Sequence, residues 1–183
     1  VKPRSQGSSV GAGCATDIDA LIVFVEKALR HDSWALVEPS IQGREVAVAV
    51  LDDRPLGTIE ITPKASFFDY ASKYSSGGSE YHLPARLPEA AQAAALDLGA
   101  RASASLGCSG ASRVDLLVSD DDALTVLEVN TLPGMTPTSL LPKMAAHAGL
   151  DFGDLCEAIL ERARLERGPA HLLGPSLPPM RQG

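Results

Sequence analysis

Two apolar runs in the second half of the chain carry polar or charged residues at alternate positions. Residues 112–118 read Ser-Arg-Val-Asp-Leu-Leu-Val and residues 124–130 read Leu-Thr-Val-Leu-Glu-Val-Asn, with Asp120, Asp121 and Asp122 between them. Alternation over this length predicts two strands, and the acidic turn predicts that they pair as a hairpin. Successive strand side chains point to opposite faces, so Arg113, Asp115 and Leu117 share one face and Val114, Leu116 and Val118 the other. By the same rule Val126, Glu128 and Asn130 share a face opposite Leu127 and Val129. Further strands are expected over 34–38, 45–51 and 56–61. A helix capped by Thr16 or Asp17 should run to about Arg30, with Leu21, Val25, Ala28 and Leu29 as its apolar stripe. Pro88 is placed to open a second helix, which Gly107 should end, and two more are expected over 139–148 and from 151 to about 165, with Gly149 at their junction.

Residues 62–84 break this regularity. They show little apolar periodicity, hold Phe67, Phe68, Tyr70, Tyr74 and Tyr81, and predict a long loop, a class that is usually functional or disordered beyond about 15 residues. From Gly168 onward the chain reads as a loose Pro-rich tail. No internal repeat is evident.

Composition narrows the partners. The chain has 183 residues, 45% of them hydrophobic, which is ample for a core. A net charge of -7 without a basic run argues against nucleic acid or an anionic membrane, so any phosphate site must be built locally. Cys14, Cys108 and Cys156 are too few and too scattered for a disulfide framework or a zinc spacing. With no long apolar run and no secretory signal, a cytoplasmic location is expected. His31, His82, His147 and His171 are dispersed and read as surface or core residues. The chain opens on Val1-Lys2-Pro3 without a Met, which reads as a piece of a longer protein.

Chemistry concentrates on the hairpin. If Asp115 lies opposite Glu128, two carboxylates, the Asn130 amide and the Arg113 guanidinium converge on one face. Oxygen ligands of this kind suit Mg²⁺, and an adjacent Arg suits phosphate or a developing oxyanion. A half-exposed strand face with Arg paired to Asp or Glu shows the same alternation, so spacing alone leaves both readings open. The following run, Asn130-Thr131-Leu132-Pro133-Gly134-Met135-Thr136-Pro137-Thr138-Ser139-Leu140, is a Gly/Pro/Thr loop that opens a helix, an arrangement whose backbone N–H groups can bind carboxylate or phosphate.

The string R-V-D, then L-E-V-N-T-L-P-G-M-T and T-S-L, resembles the C-terminal catalytic segment of the D-alanine–D-alanine ligases of the ATP-grasp superfamily. Three other stretches agree over roughly residues 1–165. V-K-P followed by G-S-S-V-G is similar to their glycine-serine loop, which implies that Lys2, Ser8 and Ser9 act on ATP phosphates. V-E-P-S-I-Q-G-R-E resembles their adenine hinge, which implies that Glu38, Ser40 and Ile41 read the base and Glu45 the ribose, with Leu117 also in the nucleotide site; Ser40 is smaller than the residue expected there. Phe67 to Tyr74 resembles their mobile loop, with Phe67 in the nucleotide site, Lys73 on the terminal phosphates and Tyr74 closing the site. The resemblance further implies Asp115, Glu128 and Asn130 as ligands of Mg²⁺ (or Mn²⁺), Arg113 and the Gly134 backbone on the oxyanion, and Ser139 with the Leu140 N–H on the second substrate's carboxylate.

The implied fold is α+β, a partial ATP-grasp: residues 1–60 from the end of the central domain, 61–167 as the C-terminal catalytic domain including the loop 62–84, and 168–183 as the tail. The implied activity is ATP-dependent joining of two D-alanines through an acyl phosphate, for peptidoglycan. An N-terminal part of the same enzyme would then be missing, the chain alone would not ligate D-alanine, and the whole enzyme could form a homodimer. The rivals are another ATP-grasp carboxylate–amine ligase and a non-catalytic nucleotide-binding fragment.

Overall fold

The structure, a computed structural model, describes residues 1–63 and 79–163. A two-stranded antiparallel sheet pairs β1 (Lys2–Pro3) with β2 (Ala35–Leu36), and helix α1 (Ile18–Leu29) lies between them in the chain. The larger sheet has five strands, all antiparallel to their neighbours: β3 (Arg44–Leu51), β4 (Arg54–Pro63), β5 (Ser79–His82), β6 (Ala111–Val118) and β7 (Leu124–Asn130), in the order β5-β4-β3-β6-β7. Helices α2 (Glu89–Ser105), α3 (Leu140–His147) and α4 (Phe152–Glu161) complete it. Residue 60, where the sequence suggests a domain division, lies inside β4. No helix among the described residues is long and apolar enough to cross a membrane.

The sheet is buried on one face and divided on the other. Val48 and Val50 of β3 join Val114 and Leu116 of β6 against Ala95 of α2, all fully buried. On the opposite face Ala47, Ala49 and Ile59 pack beneath Leu141, Met144 and Ala145 of α3 and Leu155 of α4. Small residues on β3 let these helices settle close to the strands. Helix α2 comes closer still, because a Cβ on Gly99 would lie 2.6 Å from Val48 Cγ1 and 2.8 Å from its Cβ.

Caps follow the chemistry of the sequence. Of the two candidates, Asp17 caps α1, accepting from the Ala20 N–H at 2.8 Å, and Asp151 caps α4, accepting from the Asp154 N–H at 2.9 Å. Gly107 and Gly149 follow α2 and α3 with φ of 67° and 89°, the left-handed conformation that suits glycine after a helix. Leu29 departs from the expected α1 stripe and is 48% exposed; outside the stripe, Ile18 at 69%, Ile22 at 53% and Val23 at 60% are exposed too.

Three expectations are corrected. The strand expected over 34–38 is only Ala35–Leu36. The loop expected over 62–84 is invaded from both ends: β4 continues to Pro63, and β5 pairs with it through Ile61↔Tyr81 and Thr62↔Glu80. The Ser-Glu-Tyr-His sequence of β5 lacks an apolar alternation, as suits a strand that among the described residues pairs on one side, at the sheet edge. In the hairpin, the register shifts after the Asp115↔Glu128 pair, so that Leu116 faces Val126 and Leu127 is extra. This bulge breaks strict alternation: Val126 shares the side of buried Leu116, and Leu127 lies with Glu128.

The α2 face also buries Thr58 and Glu60 of β4, both with partners. Thr58 Oγ1 accepts from Gln92 Nε2 at 2.6 Å, while Glu60 accepts from Arg86 at 2.7 Å and 3.2 Å through the guanidinium and at 3.1 Å through the backbone N–H. Hydrogen bonds from the Arg86 side chain, more than its charge, hold the Glu60 carboxyl below its ordinary value near 4.5, against the opposing effect of burial. With the folded-state value below the unfolded one, this stabilisation is complete above about pH 4.5 and is lost as pH falls through the folded value. Urea midpoints should therefore fall over that acid window, and Glu60→Gln should flatten the fall. A second expectation concerns Gly99: although Ala is favoured over Gly inside a helix by about 1 kcal/mol, Gly99→Ala should cost about 1–3 kcal/mol through overpacking. In denaturant unfolding, combining it with Val48→Ala should cost less than the sum of the single changes.

Candidate active site

The uncovered part of the divided face forms a cleft of about 520 Å³. Its floor is the hairpin: Arg113, Asp115, Glu128 and Asn130 all line it. The register sets Asp115 opposite Glu128 and Arg113 opposite Asn130. Glu45 lines the same cleft from β3, opposite Leu117 across the sheet.

Two carboxylates facing each other repel unless a cation intervenes, and Arg113 supplies one. Its Nε donates to Asp115 Oδ1 at 2.7 Å and its terminal nitrogen to Oδ2 at 2.9 Å, a two-toothed pair around a carboxylate in a residue only 7% exposed. Hydrogen bonding to Asp115 raises the Arg113 pKa against burial, with further support from the charges of Asp115, Glu128 and Glu45. Asn130 turns its amide oxygen back on its own loop, accepting from the Leu132 N–H at 3.1 Å. An amide oxygen has a second lone pair, so this bond leaves it able to take another partner.

The opposite wall comes from the chain's first residues. Pairing of β1 with β2 brings Lys2 to within 2.8 Å of Glu38, Nζ to Oε2, and Lys2 lines the cleft. Ser8 and Ser9 line it too, with φ of 54° and 59°. Consecutive non-glycine residues in the left-handed region are uncommon and costly, and such conformations gather at functional sites. At one end, Gly134 and Leu140 complete the wall. A Cβ on Gly134 would meet Ser139 Oγ at 2.7 Å, and that hydroxyl accepts from the Thr136 N–H at 3.1 Å. Glycine therefore lets the loop fold against the start of α3.

Of the expected site residues, Lys2, Ser8, Ser9, Glu45, Arg113, Asp115, Glu128, Asn130, Gly134 and Leu140 meet around this one cleft. Glu38 reaches it through Lys2, whereas Ser40, Ile41, Leu117 and Ser139 are not among its lining residues. Ser40 Oγ instead lies 3.6 Å from Cys14 Sγ, and Ile41 is 37% exposed. Phe67, Lys73 and Tyr74 lie outside the described residues. Sequence reasoning did not single out Gln6, Ile61, Tyr81 and Leu127, which line the cleft. Tyr81 and Ile61 arrive because they stand in one cross-strand row with Glu45, and the ring of Tyr81 carries Lys143 Nζ 4.5 Å from its centroid.

The family model described as the D-ala D-ala ligase C-terminus matches residues 1–161. The chain belongs to this family. It is 50% identical to the D-alanine–D-alanine ligase of Citrifermentans bemidjiense over 166 residues, which cover 91% of this chain and 54% of the relative. A solved D-alanine–D-alanine ligase from Bacillus anthracis complexed with ATP is 36% identical, with a TM-score of 0.72, over 84% of this chain and 50% of that one. VanG D-Ala:D-Ser ligase from Enterococcus faecalis is 34% identical, with a TM-score of 0.78, over 87% of this chain and 48% of that one. The fold is thus the α+β ATP-grasp of the D-alanine–D-alanine ligases, and the chain spans about half the length of the curated relatives it matches.

The donor set suits a hard cation in type: two opposed carboxylates and an amide oxygen would leave room for water and phosphate oxygens around Mg²⁺. Among the described residues, no three His, Cys, Asp or Glu side chains gather as a metal cluster. The Arg113–Asp115 pair should matter for stability as well. In this D-alanine–D-alanine ligase family member, Asp115→Asn leaves a largely buried guanidinium short of its counter-charge and should cost about 3 kcal/mol in denaturant unfolding. Replacing the pair together, Arg113→Met with Asp115→Leu, should recover most of that loss.

Proposed function

We propose that the protein is an ATP-dependent ligase that joins the carboxylate of one D-alanine to the amine of a second. The observation that carries this reading is the meeting, in one cleft, of a cationic and hydroxyl-bearing wall at Lys2, Ser8 and Ser9 with the Arg113, Asp115, Glu128 and Asn130 floor. ATP is supported by the solved relative in complex with it. The high identity to D-alanine–D-alanine ligases supports the substrate.

In this reading Lys2, Ser8 and Ser9 hold the phosphates, Glu38, Ser40 and Ile41 read the base, and Glu45 takes the ribose hydroxyls beside Leu117. Phe67 and Lys73 keep the nucleotide-side roles, and Tyr74 the site-closing role, that the resemblance gives them. The first D-alanine carboxylate attacks the γ-phosphorus, ADP leaves, and an acyl phosphate forms. The second D-alanine's amine then attacks the acyl carbon. The tetrahedral oxyanion is stabilised by Arg113 and the Gly134 backbone, phosphate leaves and the nitrogen sheds a proton. Ser139 and the Leu140 N–H orient the second substrate's carboxylate. Mg²⁺ held by Asp115, Glu128 and Asn130 would neutralise charge on the transferring phosphoryl group. The rest of the relatives' length would complete the first-substrate site, and the exposed Ile18, Ile22 and Val23 of α1 suit packing against further polypeptide of the same protein.

D-serine is a second candidate for the attacking amine, given the similarity to VanG D-Ala:D-Ser ligase. Phosphate release by the full-length protein with ATP and Mg²⁺ tests both. D-alanine alone should drive phosphate release with matching dipeptide, whereas a strict need for D-serine would move the assignment to the mixed dipeptide. ADP formation indifferent to D-alanine would point to a different carboxylate–amine ligase, and ATP binding without any ADP formation to a non-catalytic nucleotide binder. Glu128→Gln should keep the circular-dichroism spectrum and lose most of the turnover.

A further inference from the structure

Asp115 is paired with one cation, Arg113, and is assigned above to a second, the divalent metal. Both of its oxygens accept from Arg113, at 2.7 Å and 2.9 Å, and its side chain is about 10% exposed. The guanidinium is permanently charged, so unlike a lysine it cannot withdraw by losing its proton. The register puts Glu128 across from Asp115 and Asn130 across from Arg113, so the carboxylate that the guanidinium occupies is one of the three oxygen-bearing groups assigned to a divalent cation. Glu45 and Glu128 add their charge to the hold on it. The other cation on the cleft wall, Lys2, is paired with Glu38 at 2.8 Å.

We propose that Arg113 is the place-holder for a divalent cation at Asp115, and that the arrival of that cation releases Arg113 to the reacting oxygens. This rests on the assignment of Asp115 and Glu128 to the metal made above. A dication on Asp115 and Glu128 repels a guanidinium a few ångströms away, and a two-toothed pair occupies an oxygen the cation needs. The buried carboxylate is compensated in both states, and the group that stabilises the oxyanion becomes available only once the phosphoryl-neutralising cation is in place.

Mn²⁺ binding to the full-length protein without nucleotide, followed by the electron paramagnetic resonance of free Mn²⁺, tests this without a turnover readout. Arg113→Lys keeps the charge and loses the two-toothed geometry, so it should bind Mn²⁺ about tenfold more tightly than the native protein, the factor for one lost charge-assisted hydrogen bond. Equal affinity in Arg113→Lys with tighter binding in Arg113→Ala would mean that only the field matters and would overturn the exchange. Weaker binding in both would make Arg113 a residue that positions Asp115, which also overturns it. If Glu128→Gln left Mn²⁺ affinity unchanged, the metal assignment itself would fail. The native protein supplies an independent check: Mn²⁺ should accelerate modification of Arg113 by phenylglyoxal, and an unchanged or slower rate counts against release.

Discussion

Two carboxylates set face to face across neighbouring strands shape the whole cleft. The Asp115↔Glu128 register would be unfavourable in isolation. It is sustained by a guanidinium two residues away on the same strand, whose planar fork fits the carboxylate. That choice ties the electrostatics of the floor to the strand pairing. A slip of one residue would turn the charged set toward the α2 core, where Val114 and Leu116 are fully buried. The apolar back of the sheet therefore enforces the polar front.

The divided face shows how one strand serves both a core and a site. Along β3, Ala47 and Ala49 lie under α3 and α4, while Glu45, two residues earlier on the same face, lines the cleft. The boundary falls where α3 begins. The close approach of Gly134 to Ser139 brings the loop back against that helix start, so the cleft ends where the apolar cover starts.

Much of this was legible from alternation and helical spacing. The hairpin, its facing carboxylates and three of the four expected helices lie close to where the pattern puts them, and β3 lies close to the strand expected over 45–51; α4 ends at Glu161, short of the expected end near residue 165. The resemblance to the ligases was carried by contiguous strings, which survive without knowledge of the fold. What escaped depends on partners distant in sequence. The bulge at Leu127 has no signature of its own, since a run such as Leu-Thr-Val-Leu-Glu-Val is compatible with strict alternation. Strand β5 is polar, as suits its place at the sheet edge among the described residues, and Tyr81 becomes a cleft residue only through its row with Ile61 and Glu45. The close seat of Gly99 on Val48 was likewise invisible, because a glycine inside a helical pattern reads as a small penalty until the opposing strand is known.

The Lys2–Glu38 ion pair, which joins the start of β1 to the segment after β2, has a thermodynamic corollary. An anion that draws Lys2 toward itself must also set the Glu38 carboxylate free, and a donor that captures Glu38 must free the ammonium. Linkage makes the two effects equal in size. A ligand bearing both an anionic and a donor end is thus favoured over the sum of its halves, since each half alone breaks the pair and compensates only one of its charges. With side chains 36% and 51% exposed, the pair can lend such an intact, two-ended molecule a preference of at most about 1 kcal/mol over its fragments.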